Sequence, residues 1–136
     1  METLEQLRSK AAWAAATKQV TALGNEFKDY KNNTKSAPMM IMNSGLMATL
    51  AFYQSRGKKP TDALVTDLMM WIATRKMLEY PEAPAITTRD PFQQMMSRLL
   101  NAPSAVYQQA TTETLAYLRW LRQFADAVDT RSTPKQ

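Results

Sequence analysis

The stretch YQQATTETLAYLRWLRQFA, residues 107–125, decides the fold class. Its apolar and small residues fall at Tyr107, Ala110, Thr114, Tyr117, Leu118, Leu121, Phe124 and Ala125 and continue to Val128, in steps of three and four. That period gathers them on one face of an α-helix, whereas a strand needs steps of two. Leu115 and Trp120 lie off the stripe. The helix is therefore apolar around much of its circumference and is expected at the centre of the fold, with Trp120 in the core. Pro103 or Ser104 opens it, and 130–136 reads as a flexible polar tail behind a single domain over 1–129.

Helical signals continue outward toward the N-terminus. Asp90-Pro91-Phe92-Gln93 has an N-cap, a first-turn proline and a glutamine able to reach back, which starts a short helix ending near Leu100. A helix from about Thr61, carrying Leu64, Leu68, Trp71, Ile72 and Leu78, is expected to stop before Pro81, with a loop from there to Thr88. Pro38 suits the first turn of a helix running to Arg56, with a stripe at Met39, Met42, Leu46, Leu50 and Tyr53 and Gly57 as its left-handed end. The first helix is expected from Thr3 to Tyr30. Its heptad-spaced seam is Trp13, Ala16, Val20, Leu23, Phe27 and Tyr30, with Gly24 a point of bending and the polar run Lys31 to Ser36 its end. The expected class is all-α, a compact antiparallel bundle of four to five helices.

Composition agrees and narrows the chemistry. Only three glycines in 136 residues cannot supply the turns of a many-stranded β fold. There is no Cys and no His, so disulfides, thiolate nucleophiles, Cys/His zinc sites, His-ligated haem and imidazole-based triads are excluded. No cofactor or metal is implied. The acidic N-terminus does not resemble a signal peptide, and the longest apolar run, Leu68 to Ala73, is far below the ~20 residues a membrane span needs. A cytoplasmic protein with no membrane partner and no small-molecule substrate is expected. The Asn32-Asn33-Thr34 sequon carries no meaning without secretion. Glu113 has no second carboxylate on its face, and Asp62 and Asp67 are poorly spaced to share a metal, so no catalytic constellation is found.

Charge points to a polyanionic partner. Seventeen basic against twelve acidic residues give +5, and the pI is near 9.6. Residues 36–60 contain Arg56, Lys58 and Lys59 and no acid, whereas residues 61–84 carry a net −2. The cations at 56–59 precede a helix N-terminus whose N–H groups and Thr61 hydroxyl suit a phosphate, although Asp62 opposes an anion there. Equally, they read as solvated residues of a helix C-terminus. Lys28, Lys31 and Lys35 form a second group. Arg119 and Arg122 flank Trp120 in the basic–aromatic alternation used by single-strand binders, although neighbours on a helix diverge by about 100°.

Methionines cluster as Met39-Met40-Met42, Met69-Met70 and Met95-Met96, with Met47 and Met77 besides. Adjacent residues cannot both face one core. One of each pair is either incidentally exposed or part of an adaptable protein–protein surface. Met40, Met47, Met70 and Met96 are the candidates for a subunit interface. Asn43-Ser44-Gly45 interrupts a helical stretch, which calls for close approach of another backbone or, more sharply, a polar ligand contact through Asn43.

PMMI at 38–41 followed by NSGLMATLAF at 43–52 resembles the signature helix of the small-subunit family of type III-B CRISPR effectors, the Cmr complexes. The 107–125 stretch resembles that family too. The similarity is weakest over 58–103. It implies an all-α, non-catalytic subunit that stacks in several copies, touching its own copies, other Cmr subunits and the target RNA paired to the CRISPR RNA. Cutting and second-messenger synthesis would belong to other subunits. Lys28, Lys31, Lys35, Arg56, Lys58 and Lys59, with Arg119 and Arg122 behind them, are expected to hold the RNA backbone without reading bases. A small helical DNA-binding regulator and a purely structural adaptor are the alternative readings.

Overall fold

The computed structural model describes residues 1–130; residues 131–136, nearly all of the expected tail, lie outside the described part. The elements are α1 (Leu4–Leu23), a 3-10 turn (Gly24–Glu26), α2 (Phe27–Ser44), α3 (Leu46–Arg56), α4 (Lys59–Thr74), α5 (Pro91–Leu100) and α6 (Ser104–Val128). Among the described residues there is no strand. The all-α class expected from the period of 107–125 is the class found.

Helix α6 is central. It packs against α1, α2 and α4 and buries Ala110, Tyr117, Leu118, Leu121 and Ala125 along the expected stripe. Each large apolar side chain so removed from water contributes roughly 1.5–3 kcal/mol. Trp120, expected in the core, is only half-buried and lies against the Phe124 ring at 5.5 Å. Paired contacts show the directions: Arg8 with Glu113 and Trp13 with Phe124 ascend together along α1 and α6. By contrast, Lys31 with Asp129 and Met47 with Tyr107 make α2–α3 antiparallel to α6.

Helix α1 starts in a capping box, with Thr3 Oγ1 accepting from Gln6 N at 3.1 Å and Gln6 Oε1 accepting from Thr3 N at 2.8 Å. Its inward face is one residue away from the expected seam: Ala12, Ala15, Ala16 and Gln19 are buried, and Trp13 is 49% exposed. Small side chains let α6 come close, and Trp13 covers the joint from outside by laying its edge on Phe124 at 5.2 Å. At Gly24, with φ +56°, the helix passes into the 3-10 turn, so the expected bend is a break.

The next boundary differs more. The polar run Lys31 to Ser36 does not end a helix but lies inside α2, and Pro38 sits in the helix interior. Burial of Phe27, Tyr30, Thr34, Ala37 and Ile41, in steps of three and four, holds this helix against the missing proline N–H. Thr34 satisfies its own hydroxyl by donating to the Lys31 carbonyl at 2.6 Å. The chain breaks instead at Gly45, whose φ of 96° and ψ of 164° belong to glycine. Tyr107 Oη accepts the Met47 N–H at 3.1 Å in the first turn of α3. A Cβ on Gly45 would meet only that Tyr107 oxygen, at an ordinary 3.5 Å. The glycine is required by backbone angle, not by the close backbone approach expected from the sequence.

This break also resets the helical phase. Leu46, Leu50 and Tyr53 are buried as expected, whereas Met39 and Met42 point outward at 62% and 72% exposure. Gly45→Ala should lower stability by about 1–3 kcal/mol, because alanine cannot hold that conformation without strain. Thermal unfolding reads the effect. An unchanged midpoint would mean that α2 and α3 join without strain at this residue.

Gly57 ends α3 in the left-handed conformation, φ 64° and ψ 23°, as its position requires. Helix α4 ends at Thr74, earlier than expected, and the segment to Asp90 is tied down by buried Leu78 and Tyr80. Tyr80 Oη donates to the Arg98 carbonyl at 2.7 Å, and Arg98 returns a bond to the Leu78 carbonyl at 2.9 Å. Asp90 caps α5 by accepting from Phe92 N and Gln93 N. Gln93 does not reach back to its cap; its Oε1 accepts from the Thr88 hydroxyl at 3.1 Å.

Candidate functional site

The basic residues at 56–59 do not stand alone. Helices α2 and α3 and the start of α4 enclose a cleft of about 360 Å³. From α2 come Asp29, Asn32, Asn33, Ser36 and Met40; from α3, Phe52, Tyr53 and Arg56; from the start of α4, Lys58, Pro60 and Thr61. Sequence spacing explains the first wall: 29, 33, 36 and 40 repeat in steps of four and three, one face of α2. That face lies beside the buried seam Tyr30, Thr34, Ala37 and Ile41.

Most of the lining is polar. Tyr53 Oη and Ser36 Oγ share a hydrogen bond at 3.2 Å that ties α3 to α2. Burial pushes the Tyr53 hydroxyl up, only partly opposed by the Ser36 bond, so it stays neutral. Thr61 Oγ1 accepts from Lys58 N at 3.2 Å and donates to the Lys58 carbonyl at 3.0 Å, which fixes the turn into α4. Arg56 places its guanidinium over the Phe52 ring, 5.6 Å from the centroid, and Phe52 is 43% exposed. Lys58 and Lys59 are exposed beside it. Asp62, the acid that opposes an anion at this end, does not line the cleft.

Tertiary structure sorts the other cations. Lys28 is exposed one turn before Asn32 and does not itself line the cleft. Lys31 turns away to pair with Asp129 at 2.9 Å, with side-chain exposures of 12% and 2%, and lies 3.8 Å from Asp126. Lys35 joins Asp126 at 3.2 Å in a more open pair that solvent and salt screen. This α2–α6 clasp is invisible in sequence, because its partners are some ninety residues apart. Arg119 and Arg122 are exposed on α6 and do not line the cleft.

Of the methionines singled out, Met70 is exposed at 59%, while Met40, Met47 and Met96 are half-buried against the core. Met70 and Met69, with Leu78, Ile86, Pro91 and Met95, line an apolar cleft of about 500 Å³ between α4, the 75–90 segment and α5. Asn43 is exposed at the end of α2.

Two carboxylates set aside in the sequence, Glu113 and Asp67, are buried and have partners that the sequence did not reveal. Glu113 accepts from Arg8 Nε at 2.6 Å and Arg8 Nη2 at 2.8 Å, and from Trp71 Nε1 at 3.1 Å. Burial pushes its carboxyl up, but the Arg8 fork, with Trp71 and Arg75 behind it, outweighs burial and holds it below the usual range. Asp67 accepts from Tyr30 Oη at 2.6 Å and from Gln19 Nε2 at 3.2 Å. There burial wins over those bonds and over Lys18, and the carboxyl is pushed up. Asp67 also drives the Tyr30 hydroxyl up, after burial. Both acids are occupied in tying helices together. Among the described residues no three His, Cys, Asp or Glu side chains gather as a metal site, and no helix is long and apolar enough to cross a membrane.

Known proteins are similar to this chain in fold and in sequence. The family model described as CRISPR-associated protein (Cas_Cmr5) matches residues 4–128. The chain is 27% identical over 128 residues to the CRISPR system Cmr subunit Cmr5 of Thermus thermophilus, covering 94% of this chain and 97% of that protein. It also superposes with a TM-score of 0.73 on the crystal structure of a CRISPR-associated Cmr5 family protein from Thermus thermophilus. There the identity is 25%, over 94% of this chain and 98% of the other.

Proposed function

Because the chain belongs to the Cmr5 family of CRISPR-associated proteins, we propose that it serves as a non-catalytic small subunit of a type III-B RNA-guided effector in antiviral defence. It stacks there in several copies and lays a basic surface along the target RNA paired to the CRISPR RNA. The cleft between α2, α3 and α4 carries this reading: it joins Arg56 and Lys58 to polar side chains and a helix N-terminus, and Lys28 and Lys59, each next in sequence to a lining residue, are exposed. Such a surface binds phosphodiesters whatever the sequence, as a subunit serving any guide must. Arg119 and Arg122 extend the basic character along α6. Lys35, whose ion pair is open to solvent, can exchange Asp126 for a phosphate, while Lys31 acts mainly as a strut.

Neither Glu113 nor Asp67 is free to act as an acid or base on a substrate, which supports a binding role. Met70, with Met40, Met47 and Met96, contributes adaptable apolar surface toward neighbouring Cmr subunits or further copies. On this reading the complex works in the cytoplasm, where it meets guide and target RNA.

The Lys58→Glu/Lys59→Glu double variant, assembled into the effector complex, tests the reading. Its affinity for target RNA should fall about tenfold or more at moderate salt. The slope of log affinity against log salt should flatten by about one to two, one for each phosphate no longer neutralised. Unchanged affinity and slope would remove these lysines from the interface. Tight binding of duplex DNA by the isolated chain would favour a DNA-binding regulator. A complex whose composition survives ribonuclease, with no bound RNA, would favour a structural adaptor.

A further inference from the structure

Phe52 is out of place in a purely electrostatic groove. On α3 its neighbours Leu50 and Tyr53 are buried, yet this ring stays 43% exposed among amides, hydroxyls and cations. A single exposed aromatic is ordinary on a protein surface; its company is what matters here. Arg56, one helical turn on, holds its guanidinium over the ring, so a flat cation and a flat π-face are presented together. Across the cleft, Asn32 and Asn33 offer amide donors and acceptors and Asp29 a carboxylate. At its end, Lys58 and the start of α4, a 16-residue helix, supply positive potential for an anion.

We propose that this cleft takes one unstacked base of a single-stranded or locally unpaired RNA onto the Phe52 ring, with Arg56 beside it and the adjoining phosphate at Lys58 and the start of α4. The inference rests on the RNA-binding reading above and makes it more specific. A continuous duplex keeps its bases inside the stack and cannot deliver one to the ring, whereas a splayed base can. Stacking requires only a π-face, so any base is accepted, which suits a subunit that must tolerate every guide. Asn32 and Asn33 can meet donor or acceptor edges, or a 2′-hydroxyl, by turning their amides.

The test uses the full chain within the assembled complex and an RNA target bearing 2-aminopurine at successive unpaired positions. Phe52→Ala should weaken binding about tenfold or more, with an unchanged salt slope, because the substitution removes no charge. The fluorescence quenching seen for the wild type at one or a few positions should disappear in Phe52→Ala and return in Phe52→Tyr, which restores the ring. Circular dichroism of each variant verifies the fold. Retained affinity and quenching in Phe52→Ala, with a slope still sensitive to Lys58→Glu, would overturn base stacking and leave backbone binding standing. No RNA binding by the wild-type complex, or none that depends on the lysines, would overturn the broader reading. A preference for fully paired duplex over unpaired target would overturn the stacking inference alone.

Discussion

Glu113→Ala is expected to destabilise the protein by about 3–5 kcal/mol, the usual effect of removing one partner from a buried ion pair. For a chain of this length that corresponds to a fall of roughly 10–20 °C in the unfolding midpoint. Two losses combine. Arg8, only 23% exposed in its side chain, keeps its charge without the bidentate carboxylate. Trp71, stacked on Tyr117 at 5.3 Å and 12°, keeps a buried N–H without its acceptor. The double variant Arg8→Met/Glu113→Leu should be less damaged than Glu113→Ala, since no unpaired charge remains inside.

The pH dependence of this pair has a definite sign. The folded carboxyl titrates below its ordinary value of 4.5. Its contribution is therefore present above pH 4.5 and is lost as the pH falls below that through the depressed folded value. The stability gap between wild type and Glu113→Gln should be widest near neutrality and close in acid. Denaturant unfolding from pH 7 to pH 3 measures it. A gap under about 1 kcal/mol, or one that stays constant over this range, would refute the assignment.

Asp67 should behave in the opposite sense. Asp67→Ala strands the Tyr30 hydroxyl and the Gln19 amide in a buried space and should reduce stability by about 2–6 kcal/mol, from roughly 1–3 for each buried group left without a partner. Asp67→Asn keeps an acceptor for Tyr30 and removes the charge that burial disfavours, so it should leave stability unchanged or raise it near neutrality. The sign follows from the folded carboxyl lying above its ordinary 3.8. Its favourable contribution is complete below pH 3.8 and is lost as the pH rises through the raised folded value. The advantage of Asp67→Asn over wild type should grow across that interval. An Asn variant as damaged as the Ala variant would show instead that the charge itself holds α1, α2 and α4 together.

The two carboxylates illustrate what escapes a linear reading. Glu113 stood out as an isolated acid among threonines, and Asp67 as an acid badly spaced from Asp62. Their partners, Arg8 and Trp71 for one, Gln19 and Tyr30 for the other, lie 37 to 105 residues away. No local pattern reports a contact at that range. Similarly, Lys31 and Lys28 are both exposed cations in sequence terms, and only the packing of α6 against α2 joins Lys31 to Asp129. The groove had one visible wall, Arg56 to Thr61; the other is the Asp29–Asn33–Ser36–Met40 face, a polar helix surface like any other until α3 folds onto it.

Sequence by itself determined what depends on near neighbours: the α-helical class, the central place of 107–125, the Asp90 and Gly57 caps, and the absence of imidazole and thiol chemistry. The resemblance carried by 38–52 and 107–125 also named the family to which the chain belongs. Tertiary structure decided where the N-terminal half breaks. Local propensity favours a stop in Lys31 to Ser36 and a start at Pro38, but burying Phe27, Tyr30, Thr34, Ala37 and Ile41 outweighs a run of polar residues and one lost hydrogen bond. The break moved to Gly45, where only a glycine can turn the chain and where Tyr107, sixty residues on, receives the next helix. That shift rotated Met39 and Met42 into solvent. It also set Phe52 and Arg56 against the polar face of α2, and so made the cleft.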